Sequence, residues 1–163
     1  MSAPTVRNMR LLAQHPLDGF GNCGEGLAIQ LTRDKRRVLW IAHESAPKNV
    51  TAVDVTNPRK PTVLVQTALP HERMRSNSLD LVGDLLVVAY QTQAPGLTPA
   101  GFEIFDVADP AKPRSIAFFD ASGPHSRGCH QLWFVDGETV HMSCSDPDLK
   151  PRKIGRASCR ERV

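Results

Sequence analysis

The sequence predicts an all-β protein made of repeated four-stranded antiparallel sheets. Three observations predict it. The 163 residues include 13 prolines and 11 glycines, which favour many short elements joined by turns. Short runs rich in apolar and β-branched residues recur along the chain, each bounded by turn-forming residues. Finally, the chain repeats itself at a spacing of 52 residues, so that the strands come in equivalent sets.

Four identities at one offset define the repeat. The same residue type recurs 52 positions later in four pairs: Asp54 and Asp106, Pro58 and Pro110, Lys60 and Lys112, Pro61 and Pro113. A Pro-His-x-Arg segment at residues 70–73 recurs at residues 124–127, an offset of 54 that a two-residue insertion explains. Repeats of roughly 40 to 50 residues that hold several short strands are typical of β-propeller blades.

The strands of each repeat follow in the same order. In the first repeat they are predicted at residues 26–31, 37–44, 50–55 and 62–69. In the second they are predicted at residues 78–82, 85–92, 101–107 and 114–121. A third copy starts at residues 130–146, where Asp136-Gly137 forms a hairpin turn between two strands. The sequence therefore predicts a partial β-propeller of about two and a half blades.

The predicted domain organisation follows these repeats. It comprises an N-terminal segment at residues 1–25, blades at 26–70 and 71–124, a truncated third blade at 125–152 and a tail at 153–163. Residues 11–14 are similar to residues 64–66 of the first outermost strand, so we expect them to close the ring of a longer natural protein. A chain cut in this way is expected to leave unpaired strand edges at both ends.

The tail has no apolar periodicity. Residues 154–163 resemble the translation of a sequencing adapter, with Lys153 at the junction, and we expect the tail to be non-native. It holds four of the 20 basic and one of the 17 acidic residues, which leaves 16 of each. This balanced charge argues against a nucleic-acid partner. Cys23, Cys129 and Cys144 remain outside the tail, without a spacing typical of zinc sites.

The hydropathy of the chain argues against a membrane span. Its sequence has no run approaching the roughly 18 apolar residues that a spanning helix needs. The first 16 residues contain no apolar run of the kind found in signal peptides. We therefore expect the protein in the cytoplasm.

The D-V-x-x-P-x-x-P element, present as VDVTNPRKPTVL and FDVADPAKPRSI, resembles the LVIVD-repeat β-propeller family of bacterial proteins. The resemblance extends over residues 7–148. The 52-residue spacing departs from the family's pattern through insertions such as residues 94–101. The resemblance implies a binding scaffold of unknown specificity more than it implies a reaction.

The repeated Pro-His-x-Arg segment is the best candidate binding site. His71, Arg73, His125 and Arg127 precede the innermost strands of consecutive blades, so the repeat predicts them on one face near the central channel. Imidazole and guanidinium groups around one axis suit a small anionic ligand or a protein partner. His43 and Glu44, at the end of the second strand, are further candidates.

Two alternatives use the same region differently. His71, His125 and His130 have the chemistry to hold a transition metal, which would make the protein a metal-dependent propeller enzyme. The cofactor therefore stays unknown at this point. The histidines and arginines also suit a purely structural role, in which they satisfy loop backbone between blades.

A third alternative is a dinucleotide-binding oxidoreductase. Residues 19–24 match the G-x-G-x-x-G pattern, and Glu44 follows twenty residues after Gly24. That function requires a helix from Gly24 to about Arg33, so that its N-terminus can hold a pyrophosphate. The repeat alignment instead predicts a strand over this segment.

Overall fold

A computed structural model describes residues 8–145 and the backbone of a further strand at Lys153–Ser158. The described residues form twelve strands in three antiparallel sheets, together with one short 3₁₀ turn at Leu17–Gly19. The predicted all-β class is confirmed. No sheet closes on itself within the described residues, and the propeller remains a prediction.

The first sheet contains four strands in chain order: β1 (Cys23–Leu31), β2 (Arg37–His43), β3 (Lys48–Asp54) and β4 (Thr62–Ala68). These are the four strands predicted for the first repeat, with ends that differ by up to three residues. β1 occupies the segment where the dinucleotide alternative requires a helix, and its pairing with β2 places Leu27 opposite Ile41. The helix of that alternative is therefore absent.

The second sheet contains five strands: β5 (Met74–Arg75), β6 (Leu79–Val82), β7 (Leu85–Thr92), β8 (Gly101–Asp106) and β9 (Arg114–Asp120). Both β5 and β6 pair with β7, since Met74 lies opposite Thr92 and Leu79 lies opposite Val88. The sequence predicted one innermost strand here, and the structure shows two short ones along the same partner.

The third sheet contains β10 (Cys129–Trp133), β11 (Thr139–Cys144) and β12 (Lys153–Ser158). β12 pairs with β11 over its whole length, with Thr139 opposite Ser158. We predicted only two strands in this repeat, so the third strand is a correction. Strand pairing needs only backbone groups, and an unpaired edge such as that of β11 accepts any extended segment. The non-native origin of the tail stays a prediction.

Residues 11–14 form no strand, and no described strand lies beside them to pair with. Their pairing in the ring of a longer protein stays a prediction. The following Leu17 packs against Ile41 and Val53 on the outer face of the first sheet. Its carbonyl oxygen accepts a hydrogen bond of 3.0 Å from Gln66 Nε2, which holds the segment across β4.

The turns after β3 and β8 explain why the D-V-x-x-P element recurs. The Asp54 carboxylate accepts a 2.8 Å hydrogen bond from the N–H of Thr56, and Asp106 accepts one of 3.0 Å from the N–H of Ala108. Hydrogen bonds from Thr56 lower the pKa of Asp54. Those from Ala108 and Arg114 lower the pKa of Asp106. Both repeats therefore end their third strand with the same carboxylate cap.

Consecutive sheets pack face to face. The first and second sheets share one core, which holds Trp40, Ala52, Leu86, Val88 and Phe105 among its members. The second and third sheets share another, whose members include Val87, Phe102, Leu132, Phe134 and Met142. The second sheet is thus covered on both faces. In the described part of the chain, no helix has the length and apolar character needed to cross a membrane.

The glycine-rich segment before β1 permits close contact between the first two sheets. The N–H groups of Glu25 and Gly26 donate to the Asn77 carbonyl, at 3.1 and 3.0 Å. A Cβ on Gly26 would overlap the backbone nitrogen of Leu79, and one on Gly24 would lie 3.2 Å from the Asn77 oxygen. These two glycines are therefore explained by packing between sheets, and they approach protein backbone where the dinucleotide alternative needs a pyrophosphate.

Candidate functional site

A cavity of about 280 Å³ lies at strand ends of the first and second sheets, beside the loop that leads into the third sheet. It is lined by Glu44, Arg75, Thr92, Gln93 and Arg127. Glu44 directly follows β2, Arg75 ends β5, Thr92 ends β7, and Arg127 belongs to the loop before β10. The cavity is therefore built from strand ends and loops of all three repeats at one edge of the sheets.

The two Pro-His-x-Arg loops converge on the end of β7. The carbonyl oxygen of Arg127 accepts a 2.9 Å hydrogen bond from the N–H of Thr92. The carbonyl oxygen of Arg73 accepts one of the same length from the N–H of Gln93. The backbones of the two loops thus meet at adjacent residues.

The side chains of the cavity carry an unbalanced positive charge. Arg75 forms an ion pair with Glu44, and its Nε and Nη2 atoms donate to Gln91 Oε1 at 2.9 and 2.6 Å. Arg127 Nε donates to the carbonyl oxygen of Thr92 at 2.9 Å. No carboxylate of the described residues forms an ion pair with Arg127. Glu44 therefore compensates Arg75, and the charge of Arg127 remains.

A buried amide cluster contacts the cavity through Arg75. Gln91 Oε1 also lies 3.1 Å from His130 Nδ1, and Asn77 Nδ2 donates to the His130 carbonyl at 3.4 Å. Gln91 and Asn77 are buried, yet Gln91 Nε2 and Asn77 Oδ1 have no hydrogen-bond partner among the described residues. Buried polar groups are normally paired, so these two unpaired atoms are exceptions in the interior of the protein.

The structure brings together some of the predicted site residues. Arg127 and Glu44 line the cavity, and His130 contacts Gln91 beside it. The side chains of Arg73 and His125 are exposed and do not line it. His71 Nδ1 accepts a 3.1 Å hydrogen bond from the N–H of Arg73 within its own loop, while its Nε2 atom is buried without a partner among the residues that the structure describes.

His43 is a core residue and does not line the cavity. Its Nε2 atom lies 2.7 Å from Thr51 Oγ1, and its backbone N–H donates to Ser76 Oγ at 3.1 Å. Burial lowers the pKa of the imidazole. A buried, hydrogen-bonded histidine of this kind fits a structural role, and its assignment as a ligand-binding candidate stays a prediction.

The histidines expected to hold a metal do not come together. Within residues 8–145 no group of three His, Cys, Asp or Glu side chains is placed to hold a metal ion. The imidazole of His71 accepts a hydrogen bond within its own loop, that of His130 on β10 lies against Gln91 of β7, and His125 is exposed. Cys129 and Cys144 face each other across β10 and β11 as buried free thiols, and burial raises the pKa of Cys129.

Sequence reasoning missed Arg75, Gln91, Thr92 and Gln93. The pairings of Leu39 with Val53 and of Leu86 with Phe105 show that β2 and β7 are equivalent at an offset of 47. At this offset Glu44 corresponds to Gln91. The candidate Glu44 would therefore have identified Gln91 as a second candidate. The loops before these two strands differ in length, which hides this second offset in the sequence.

Comparison with known proteins adds no family assignment. No protein-family model matches the chain, and no curated protein is significantly similar to it. The resemblance to LVIVD repeats therefore depends on the sequence motif alone.

Proposed function

We propose that the protein is a β-propeller module that binds a small anionic ligand in the cavity lined by Arg127, Arg75 and Glu44. The observation that carries this proposal is the guanidinium of Arg127, which lines the cavity without a carboxylate partner among the described residues. An arginine presents several N–H donors in a planar fork that matches carboxylate and phosphate groups. The same groups hold a ligand in place without performing chemistry on it.

The packing of the sheets supports the propeller part of the proposal. Consecutive sheets share a core, in the order in which the repeats follow along the chain. Contacts between the innermost strands also run from β1 to β6 and from β6 to β10. Blades around a common axis are expected to meet in this way, with the loops of successive blades at one face.

The size and charge of the cavity define the ligand class. Small-molecule sites commonly have volumes from about 300 Å³ upward, so a cavity of about 280 Å³ suits a small metabolite. The two arginines and one glutamate of its lining leave one positive charge. We therefore infer a ligand with a single carboxylate or phosphate group directed at Arg127.

The two enzyme alternatives gain no support from the described residues. The metal-dependent enzyme needs the three histidines to form one group, and residues 8–145 contain no group of three His, Cys, Asp or Glu side chains placed to hold a metal ion. The dinucleotide-binding oxidoreductase needs a helix after Gly24, and β1 lies there. A binding module remains the function that the geometry supports best.

Calorimetric titration tests the proposal. Inorganic phosphate and acetate are titrated into the wild-type protein, into Arg127→Gln and into Arg114→Gln, whose arginine is exposed and pairs with Asp106 away from the cavity. Loss of a charge-assisted hydrogen bond costs about 1.5 to 3 kcal/mol, so Arg127→Gln should weaken binding by roughly 10- to 100-fold. Arg114→Gln should bind as the wild type does. Equal affinity of the wild type and Arg127→Gln would overturn the proposal, as would the absence of saturable binding for both anions.

A further inference from the structure

Two cysteines lie directly opposite each other in the third sheet. Cys129 of β10 is the register partner of Cys144 of β11. Just outside this pair, the N–H of Ser145 donates a 3.1 Å hydrogen bond to the carbonyl oxygen of Gly128. Hydrogen-bonded and non-hydrogen-bonded pairs alternate along an antiparallel ladder, so Cys129 and Cys144 occupy a non-hydrogen-bonded position. Opposite side chains come closest together at such positions.

Both cysteine side chains lie on the same face of the third sheet. Residues that are directly opposite in an antiparallel pair share one face of the sheet. Cys129 and Cys144 both belong to the core between the second and third sheets, and they are 0 and 7% exposed. Burial, followed by the charge of Cys144, raises the pKa of Cys129. The two sulfur atoms are therefore neighbours in the interior of the protein.

The spacing of this pair suits a disulfide bond. Opposite Cα atoms of a non-hydrogen-bonded pair are about 4.5 Å apart. Disulfides join residues whose Cα atoms are about 4.4 to 6.8 Å apart, so the bond can form between β10 and β11 without a change of register. Cys23, the third cysteine of the described residues, is exposed and lies opposite His43. The strand register therefore favours one cysteine pair.

We propose that Cys129 and Cys144 form a reversible disulfide that stabilises the third sheet when the protein meets a small-molecule disulfide such as oxidised glutathione. The inference depends neither on the propeller arrangement nor on the anion site. One cysteine first forms a mixed disulfide and releases one reduced glutathione, and the other cysteine then displaces the second glutathione. The S–S bond of glutathione breaks and the S–S bond of the protein forms. The protein gives up two electrons, and its two thiol protons go to the two released glutathione thiols.

The disulfide fastens β10 close to the loop that carries Arg127. Only Gly128 separates Arg127 from Cys129 in the sequence. A cross-link between β10 and β11 restricts the unfolded chain and so favours the folded hairpin. Oxidation therefore stabilises the third sheet at the end of β10 where this loop enters it.

Disulfide mapping of the wild-type chain tests the proposal. Buried thiols react slowly, so the chain is refolded from urea in an excess of oxidised over reduced glutathione, and the remaining thiols are alkylated. Glu-C cuts after Glu138, between Cys129 and Cys144. Trypsin cuts after Arg152, before Cys159. Mass spectrometry should find the Cys129 and Cys144 peptides linked to each other, and dithiothreitol should separate them.

Urea titrations test the stabilisation. The oxidised wild type should unfold at a higher urea concentration than the reduced wild type, since the cross-link restricts the unfolded chain. Cys23→Ala, the matched control, should show the same rise, and Cys144→Ala should show none. The mapping needs no substitution, so it decides the proposal even if Cys144→Ala does not fold.

Three results would overturn the proposal. The first is alkylation of both Cys129 and Cys144 in the refolded wild type. The second is a link from either of them to Cys23 or Cys159. The third is an equal midpoint of unfolding in urea for the oxidised and the reduced wild type.

Discussion

At the scale of single residues, burial and partners decide which polar side chains are available to a ligand. Arg73 and Arg127 are equivalent in the repeat, and their carbonyl oxygens both bind the end of β7. Only Arg127 has its side chain in the cavity. The sequence predicted Arg127 from its repeated loop and Glu44 from its position at the end of the second strand. It could not separate Arg127 from Arg73, because side-chain direction depends on the local path of each loop.

The buried imidazole of His43 predicts a pH dependence of stability. Burial lowers its pKa from the value of 6.5 expected in the unfolded chain, so the unfolded state binds more protons as the pH falls through 6.5. The contribution of His43 to the free energy of unfolding is complete above the unfolded-state pKa of 6.5 and is lost progressively below it. As the pH is lowered from about 7.5 to about 5.5, the free energy of unfolding measured in urea titrations should decrease.

Two variants isolate the contribution of His43. His43→Gln should show a smaller pH slope over the same range, since no imidazole titrates in its place. His141→Gln, which changes an exposed histidine on β11, should keep the slope of the wild type. Equal pH slopes for the wild type and His43→Gln would show that this imidazole does not cause the pH dependence of stability.

At the scale of strands and turns, local sequence patterns were sufficient to predict a strand when the strands that pair with it lie in the same repeat. The four strands of the first sheet and the Asp-capped turns after β3 and β8 follow from apolar runs and turn residues. The prediction of only two strands in the third repeat missed β12. Whether such a segment forms a strand depends on a neighbouring edge, which no local pattern contains.

The close contact between β1 and β6 predicts that Gly26→Ala is destabilising. The added methyl group would overlap the backbone of Leu79, and backbone cannot move aside as a flexible side chain can. Overpacking of this kind costs about 1 to 3 kcal/mol, measured as a lower free energy of unfolding in urea. Gly21→Ala is the matched control, because its Cβ would meet only the Pro16 carbonyl at 3.7 Å. If the two variants were equally stable, Gly26 would not be needed for this contact.

At the scale of the whole molecule, the repeat determines which faces meet. Equivalent residues of successive sheets share the two cores. The order of the sheets was therefore predictable from the 52-residue spacing. The cavity was not, because it forms only where loops of two repeats reach the ends of strands in the sheets before them. Its lining residues are scattered over more than 80 positions, from Glu44 to Arg127.

The proposed anion site depends on Arg127, which lines the cavity without a carboxylate partner among the described residues. The most direct measurement follows the arginine Nε–Hε signals by NMR while inorganic phosphate is added to the wild-type protein. We expect one saturable shift that is absent from the spectrum of Arg127→Gln, while the signal of Arg114 stays in place. An Arg127 signal that did not move, or that moved no more than the signal of the exposed Arg114, would show that no anion binds at Arg127.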